Sequence, residues 1–354
     1  MPIPTEPIGS IPRPPELMYA VAGSAVGEVP QDELEAQYDE ALRDTIARFE
    51  ATGSPVISDG EQTKPSFVTY PLAGIDHLAP DGIVIPFEDG HTRQLPRLTR
   101  GPFRYGTYAD GYFRRAQPIA HHPVKQAVIA PSAMSLLYPP QGIDGYPRDI
   151  FLEDVAKEAE TDIRRCLEAG AYKVQLDFTE GRLSIKLDPS KGILQSFVAL
   201  IGEVLGRFTP EERRRIGVHT CPGGDQDSAH SLDVDYAELL PTLFELDAGS
   251  FYIQLASEGD PDRVLEIIRE NAPPEATIFV GVIDPIDPRV ETAEEVRERV
   301  MRAAGHLGPE RLGTCDDCGF SPFGDDTSTS RDIAFAKIAA RVEGTAAAAQ
   351  QLGV

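Results

Sequence analysis

Short runs of β-branched, apolar residues alternate with longer amphipathic stretches along the whole chain, and that alternation leaves few folds open. The runs lie at Pro7–Ile11, Pro55–Ser58, Gln126–Ala130, Ala171–Leu176, Ile216–His219, Ser250–Gln254, Thr277–Val282 and Arg311–Thr314. Strands separated by helices pair in parallel, because each helix carries the chain back along the sheet. Eight such units are the number that closes a barrel. The expected fold class is therefore α/β, a (β/α)8 TIM barrel, with residues 1–354 forming a single domain. An open doubly wound sheet competes, but no G-x-G-x-x-G follows the first strand.

Helix ends are marked by residues with a physical reason to be there. LEDVAKEAETDIRRCLEAG runs out at Gly170, a natural C-cap before the fourth strand. DYAELLPTLFEL reads as another helix, and ETAEEVRERVMRAAGHLG runs to Gly308. Thr292 followed by Glu295 has the spacing of a capping box. The terminal AAAAQQ is expected to be a fraying helix end.

Residues from about Leu78 to Gln117 break this rhythm. They are rich in Gly, Pro, Arg and aromatics, and they predict a β-rich insertion of one or two hairpins between the second and third strands. Six arginines fall there: Arg93, Arg97, Arg100, Arg104, Arg114 and Arg115. They suit either a subunit interface or lid paired with acidic neighbours, or a cationic wall for an anionic substrate. A homo-oligomer is thus one expectation.

Charge and hydropathy exclude some partners. With 57 Asp and Glu against 33 Lys and Arg, the formal charge is −24, so phosphate backbones and anionic lipid are repelled. No run of roughly 18 apolar residues is present, so no membrane-spanning helix is expected. MPIPTEPIGSIPRP lacks the basic and apolar regions of a signal peptide, which makes the cytoplasm the expected compartment. There, Cys166, Cys221, Cys315 and Cys318 stay reduced.

In a barrel, working residues stand at the C-terminal ends of strands. Here those ends carry Gly9-Ser10, Asp59-Gly60-Glu61, Pro131-Ser132, Asp177 to Glu180, His219-Thr220-Cys221, Gln254, Asp284 and Cys315 to Gly319. His219 and Cys221 are two apart at a strand end, so both side chains can point the same way. Imidazole with thiolate suits Zn²⁺, and Cys318 would make a third ligand with one position open. H-x-C alone is a weak signal that ordinary packing also produces. The Cys315–Cys318 pair could equally be redox-active, could bind metal with both thiols, or could contain a merely buried Cys315.

GVHTCPGG, GVIDPIDPRV, TCDDCGF, the N-terminal IGSIPRP and SDGE together resemble the catalytic barrel of cobalamin-independent methionine synthase. The likeness runs in order along essentially the whole chain and matches a short, single-barrel branch of that family. It implies that His219, Cys221 and Cys318 hold zinc. It further implies that Ser10, beside Gly9, holds the homocysteine carboxylate while Glu61 and Asp177 grip its amino group. Three departures stand out. Gln254 occupies the place of the family's fourth ligand, a glutamate, with Glu258 four residues on; Ile286 replaces a proton-donating histidine; and there is no tryptophan to stack a pterin.

The resemblance implies methyl transfer to the thiol of homocysteine, giving methionine, from methyl-tetrahydrofolate or another donor. A thiol of pKa about 8.5 is mostly protonated at neutral pH, and binding to Zn²⁺ delivers it as a bound thiolate. A general acid must then protonate the leaving atom, and Asp284, Asp287 and Tyr138 are the candidates. Two alternatives remain. One is a zinc thiol alkyltransferase with another electrophile, such as an epoxide; the other is a barrel that binds metal or ligand without catalysis.

Overall fold

The computed structural model describes residues 2–354. Six strands form one parallel sheet in the order Gln126–Ile129, Val174–Asp177, Ile216–Thr220, Ser250–Ile253, Thr277–Ile283 and Leu312–Asp316. Nearly every residue in them is buried, which is why they read as continuous apolar runs rather than as alternating ones. Helices such as Arg148–Ala169, Gly192–Leu205, Tyr236–Leu243, Pro261–Asn271 and Ala293–Leu307 make the crossovers.

Two further segments extend the sheet by single parallel bridges. Thr5 pairs with Thr314 at one edge, and Ile57 pairs with Val124 at the other. The two segments also meet each other: the Ser58 hydroxyl donates to Gly9 O at 2.7 Å and Ile11 N–H to Gly60 O at 3.0 Å. The first strand expected over Pro7–Ile11 instead pairs further upstream, where Glu6 N–H donates to Thr314 O. Pro7 has no N–H to continue that ladder.

The caps follow the sequence. Gly170 is left-handed (φ 99°), and its N–H reaches back to Cys166 O and Leu167 O. Both halves of the Thr292–Glu295 capping box are present. The C-terminal tail departs from expectation. Helix Arg331–Leu352 runs through the alanines, with Ala348 and Ala349 buried rather than frayed. Small residues bring it close to helix Ala293–Leu307: a Cβ on Gly344 would lie 2.5 Å from Val296 Cβ.

The insertion is only partly β. Leu78–Ala79 pairs with Arg97–Leu98 and Val84–Pro86 with Thr92–Gln94, but Asp110–Ala116 is helical. Its arginines are all paired with acidic side chains. Arg93 lies between Asp225 and Asp325, Arg97 on Asp81, Arg100 on Asp76, Arg104 on Asp154, Arg114 on Asp110, and Arg115 on Glu35 and Asp39. Arg93, Arg104 and Arg115 fasten the insertion to its neighbours, Arg97 and Arg114 brace it from within, and each positive charge is matched by a carboxylate. No described helix is long and apolar enough to cross a membrane.

Candidate metal centre and substrate cavity

Strand Ile216–Thr220 ends with His219 facing Cys221, and Cys318 follows strand Leu312–Asp316. Their ligand atoms all lie within 4.8 Å of one another, the only such group of three His, Cys, Asp or Glu side chains among the described residues. Cys221 Sγ and Cys318 Sγ are 3.2 Å apart, well beyond a disulfide bond of about 2.05 Å. His219 is buried, yet neither ring nitrogen has a hydrogen-bond partner. Burial without a partner is costly for an imidazole. Two sulfurs and an orphaned imidazole therefore fit a soft or borderline cation. Cys221 and burial push the Cys318 thiol well above its ordinary pKa, and a bound cation would oppose that push.

The cluster borders a cavity of about 30 Å³ lined also by Ser10, Glu61, Asp177, Thr179 and Gly319. The structure thus brings His219 and Cys318 together with Ser10, Glu61 and Asp177. Gly319 gives Ser10 its place, since a Cβ there would lie 2.1 Å from Ser10 Oγ. Glu61 sits at φ 56°, and its Oε1 accepts from Lys64 Nζ at 3.0 Å, both side chains being buried. Burial raises the Glu61 pKa, Lys64 lowers it, and Asp177 raises it again. Asp177 Oδ1 accepts from Gln175 Nε2 at 2.7 Å; burial raises its pKa against the pull of His219. Gly9 stands just behind, its carbonyl taken by Ser58.

Other expected residues lie elsewhere. Gln254 does not line this cavity: its Nε2 donates to Ser257 Oγ and its buried Oε1 has no partner. Glu258 is bound to the buried Arg182 at 2.5 Å, which ties it away from a ligand's role. Asp284 caps Ile286 N–H and lines neither cavity, because its short side chain is turned to its own loop. Asp287 caps Arg289 N–H in the same loop. Tyr138 donates to Tyr146 O, away from the cluster. Ile286, in contrast, lies near: its Cδ1 would be 3.9 Å from a Cβ on Gly224, as would Cys318 Sγ.

A second cavity, of about 680 Å³ and mostly apolar, adjoins the first and shares Phe67, Thr179, Gly223 and Gly224 with it. Leu17, Ile85, Phe87 and Phe323 help to wall it. The hairpin that carries Phe87 is fastened over the loop following Cys221, with Glu88 N–H on Ala229 O and Arg93 on Asp225. Glu180 and His230 also face this cavity. Burial pushes the Glu180 carboxyl up to about 7 and the His230 imidazole down to about 4.

Comparison with known proteins identifies the family. The family model for the cobalamin-independent synthase catalytic domain matches residues 3–341. A 5-methyltetrahydropteroyltriglutamate–homocysteine methyltransferase of Corynebacterium efficiens is 26% identical over 339 residues, 93% of this chain but 42% of that enzyme's length. A methionine synthase of Pyrococcus furiosus is 21% identical over 96% of this chain and 91% of its own. A B12-independent methionine synthase from Shewanella sp. W3-18-1, in complex with selenomethionine, superposes with a TM-score of 0.77 at 20% identity, covering 99% of both chains. Nearly the full length of the sequence lies within the matched model, and so the chain belongs to the cobalamin-independent methionine synthase family, as a transferase built on that family's catalytic domain.

Proposed function

We propose that the chain is a single-domain zinc enzyme that methylates the thiol of homocysteine to give methionine. The reading takes the six-stranded sheet and its two bridged segments as a closed (β/α)8 barrel, with the cluster at its mouth. One observation carries it. His219, Cys221 and Cys318 converge beside a cavity that also holds Ser10, Glu61 and Asp177.

Zinc held by those three residues would supply a thiol ionised at neutral pH. The protein's own groups then orient the amino acid. Glu61 and Asp177 each have one oxygen already occupied, leaving the other for an ammonium in charge-assisted hydrogen bonds. The Ser10 hydroxyl and nearby main chain receive the carboxylate. This acidic pair also disfavours a sulfonate thiol, and so the epoxide–thiol alternative. The larger apolar cavity takes the methyl donor, with a methylated folate as the first candidate on the strength of the relatives' names.

The test is a mass-resolved product assay with homocysteine and a panel of methyl donors, alongside metal analysis. Methionine formed from methyl-tetrahydrofolate, with about one zinc per chain and loss of activity on chelation, supports the reading. No zinc and no methionine from any donor would overturn it.

A further inference from the structure

Transfer of a methyl group from nitrogen or oxygen leaves a basic atom that must take up a proton. The groups facing the 680 Å³ cavity differ sharply in their ability to give one. Arg13 donates to the main-chain oxygens of Ser321, Glu61 and Lys64. Lys64 is bound to Glu61 and Ala127 O, and Glu61 holds its pKa above the ordinary range. Arg93 is locked between two aspartates, and it keeps one of them, Asp325, ionised. Burial raises the Tyr38 phenol. His230 is left neutral by burial, with Lys186 nearby adding to the effect.

Glu180 is different. It is buried, its Oε1 accepts from the Ser132 hydroxyl, and its Oε2 has no partner. It follows Thr179, which lines both cavities, and lies three residues from Asp177 in the smaller one. A carboxyl group so placed holds a proton near neutral pH and stands where the donor must lie.

We propose that Glu180 is the acid that protonates the leaving atom of the methyl donor, with Ser132 orienting its carboxyl group. This rests on the thiol-methylation reading above. The thiolate sulfur forms a bond to the methyl carbon, the carbon–nitrogen bond breaks, and its electron pair takes the Glu180 proton. Glu180 is left as carboxylate and regains a proton from solvent, into which the substrate thiol's proton was released.

The test uses two donors with the zinc-loaded protein and homocysteine. Methyl iodide has a leaving group that needs no proton; methyl-tetrahydrofolate leaves as an amine. Glu180→Gln is expected to lower the rate with the amine donor by at least about a hundredfold and to remove the alkaline limb of its pH profile, while the iodide rate stays within about twofold. Equal loss with both donors, or no loss with the folate, overturns the proposal. If the wild-type protein methylates homocysteine from neither donor, the functional reading falls instead. Infrared titration then still decides Glu180. A protonated carboxyl band at neutral pH that shifts in Ser132→Ala and vanishes in Glu180→Gln supports it, and a carboxylate ionised throughout that range overturns it.

Discussion

Asp317 accepts two hydrogen bonds from Ser257, one from the main-chain N–H at 2.8 Å and one from the hydroxyl at 2.7 Å. Its other oxygen accepts from the N–H groups of Leu255 and Ala256, both at 2.8 Å. The residue before Cys318 thereby fixes the turn after Gln254. Gly281 leaves room for it, since a Cβ there would lie 1.8 Å from Asp317 Oδ1. An amide nitrogen cannot accept, so Asp317→Asn strands at least the Ser257 N–H, while the Ser257 hydroxyl can turn to accept instead. The expected cost is about 2–3 kcal/mol of stability, read from denaturant midpoints. Zinc affinity should fall by roughly tenfold or more, as for other groups that orient ligands from behind. Gly281→Ala should act in the same direction.

The sulfurs of Cys221 and Cys318 predict a redox consequence of metal loss. At 3.2 Å they need move little to form a bond, and a bound cation would hold both thiolates out of reach of oxidants. Chelated protein exposed to mild oxidant should lose two titratable thiols per chain, and zinc-loaded protein should lose none. Cys221 is as buried as Cys166 and Cys315, but it alone of the three lies beside the partly exposed Cys318, so Cys221→Ser should abolish the loss. Equal oxidation with and without zinc would count against a metal at this cluster.

Lys64 is the partner that makes a buried Glu61 tolerable. Lys64→Met leaves that carboxylate without its cation, a change that costs about 3–5 kcal/mol in comparable buried pairs. Glu61 should then favour its protonated form and lose its grip on an ammonium. The expected kinetic signature is a raised KM for homocysteine with a smaller effect on kcat. An unchanged KM would show that Glu61 does not bind the amino group.

Much of this was legible in the sequence, for reasons that particular residues make plain. Strands buried on both faces, such as Ile216–Thr220, leave an unmistakable apolar run, and Gly170 and Thr292 mark helix ends by local chemistry alone. His219 and Cys221 could be paired because they lie two residues apart on one strand. Glu180 and Asp317 stood among the polar strand ends, but neither their roles nor any part for Lys64 was legible. What each does depends on a partner supplied by the fold, such as the Leu255–Ser257 turn about 60 residues from Asp317. The arginines of the insertion were ambiguous for the same reason, because composition does not reveal which aspartate each one meets. Helix Pro15–Ala25, which helps to wall the larger cavity, gave no clear periodic signal.

Glu180 also predicts how stability depends on pH. Its carboxyl titrates near 7 in the folded chain and near the ordinary glutamate value when unfolded. Between about 4.5 and 7 the folded state therefore holds a proton that the unfolded state has released, and stability falls as pH rises through that window. The buried carboxyls of Asp162, pushed up to about 6, and Asp317, pushed up to about 7, act in the same direction, while the His230 imidazole, pushed down to about 4, acts in the opposite one, so the wild-type slope contains all of them. Glu180→Gln removes only the Glu180 part and keeps an oxygen for the Ser132 hydroxyl. Relative to wild type, the variant should gain stability progressively up to pH 7 and hold a gain of about 3 kcal/mol above it. Urea midpoints measured from pH 4 to 8 on both proteins would show this. Parallel curves would mean that Glu180 keeps its ordinary pKa in the folded chain, and would leave the larger cavity without its proton donor.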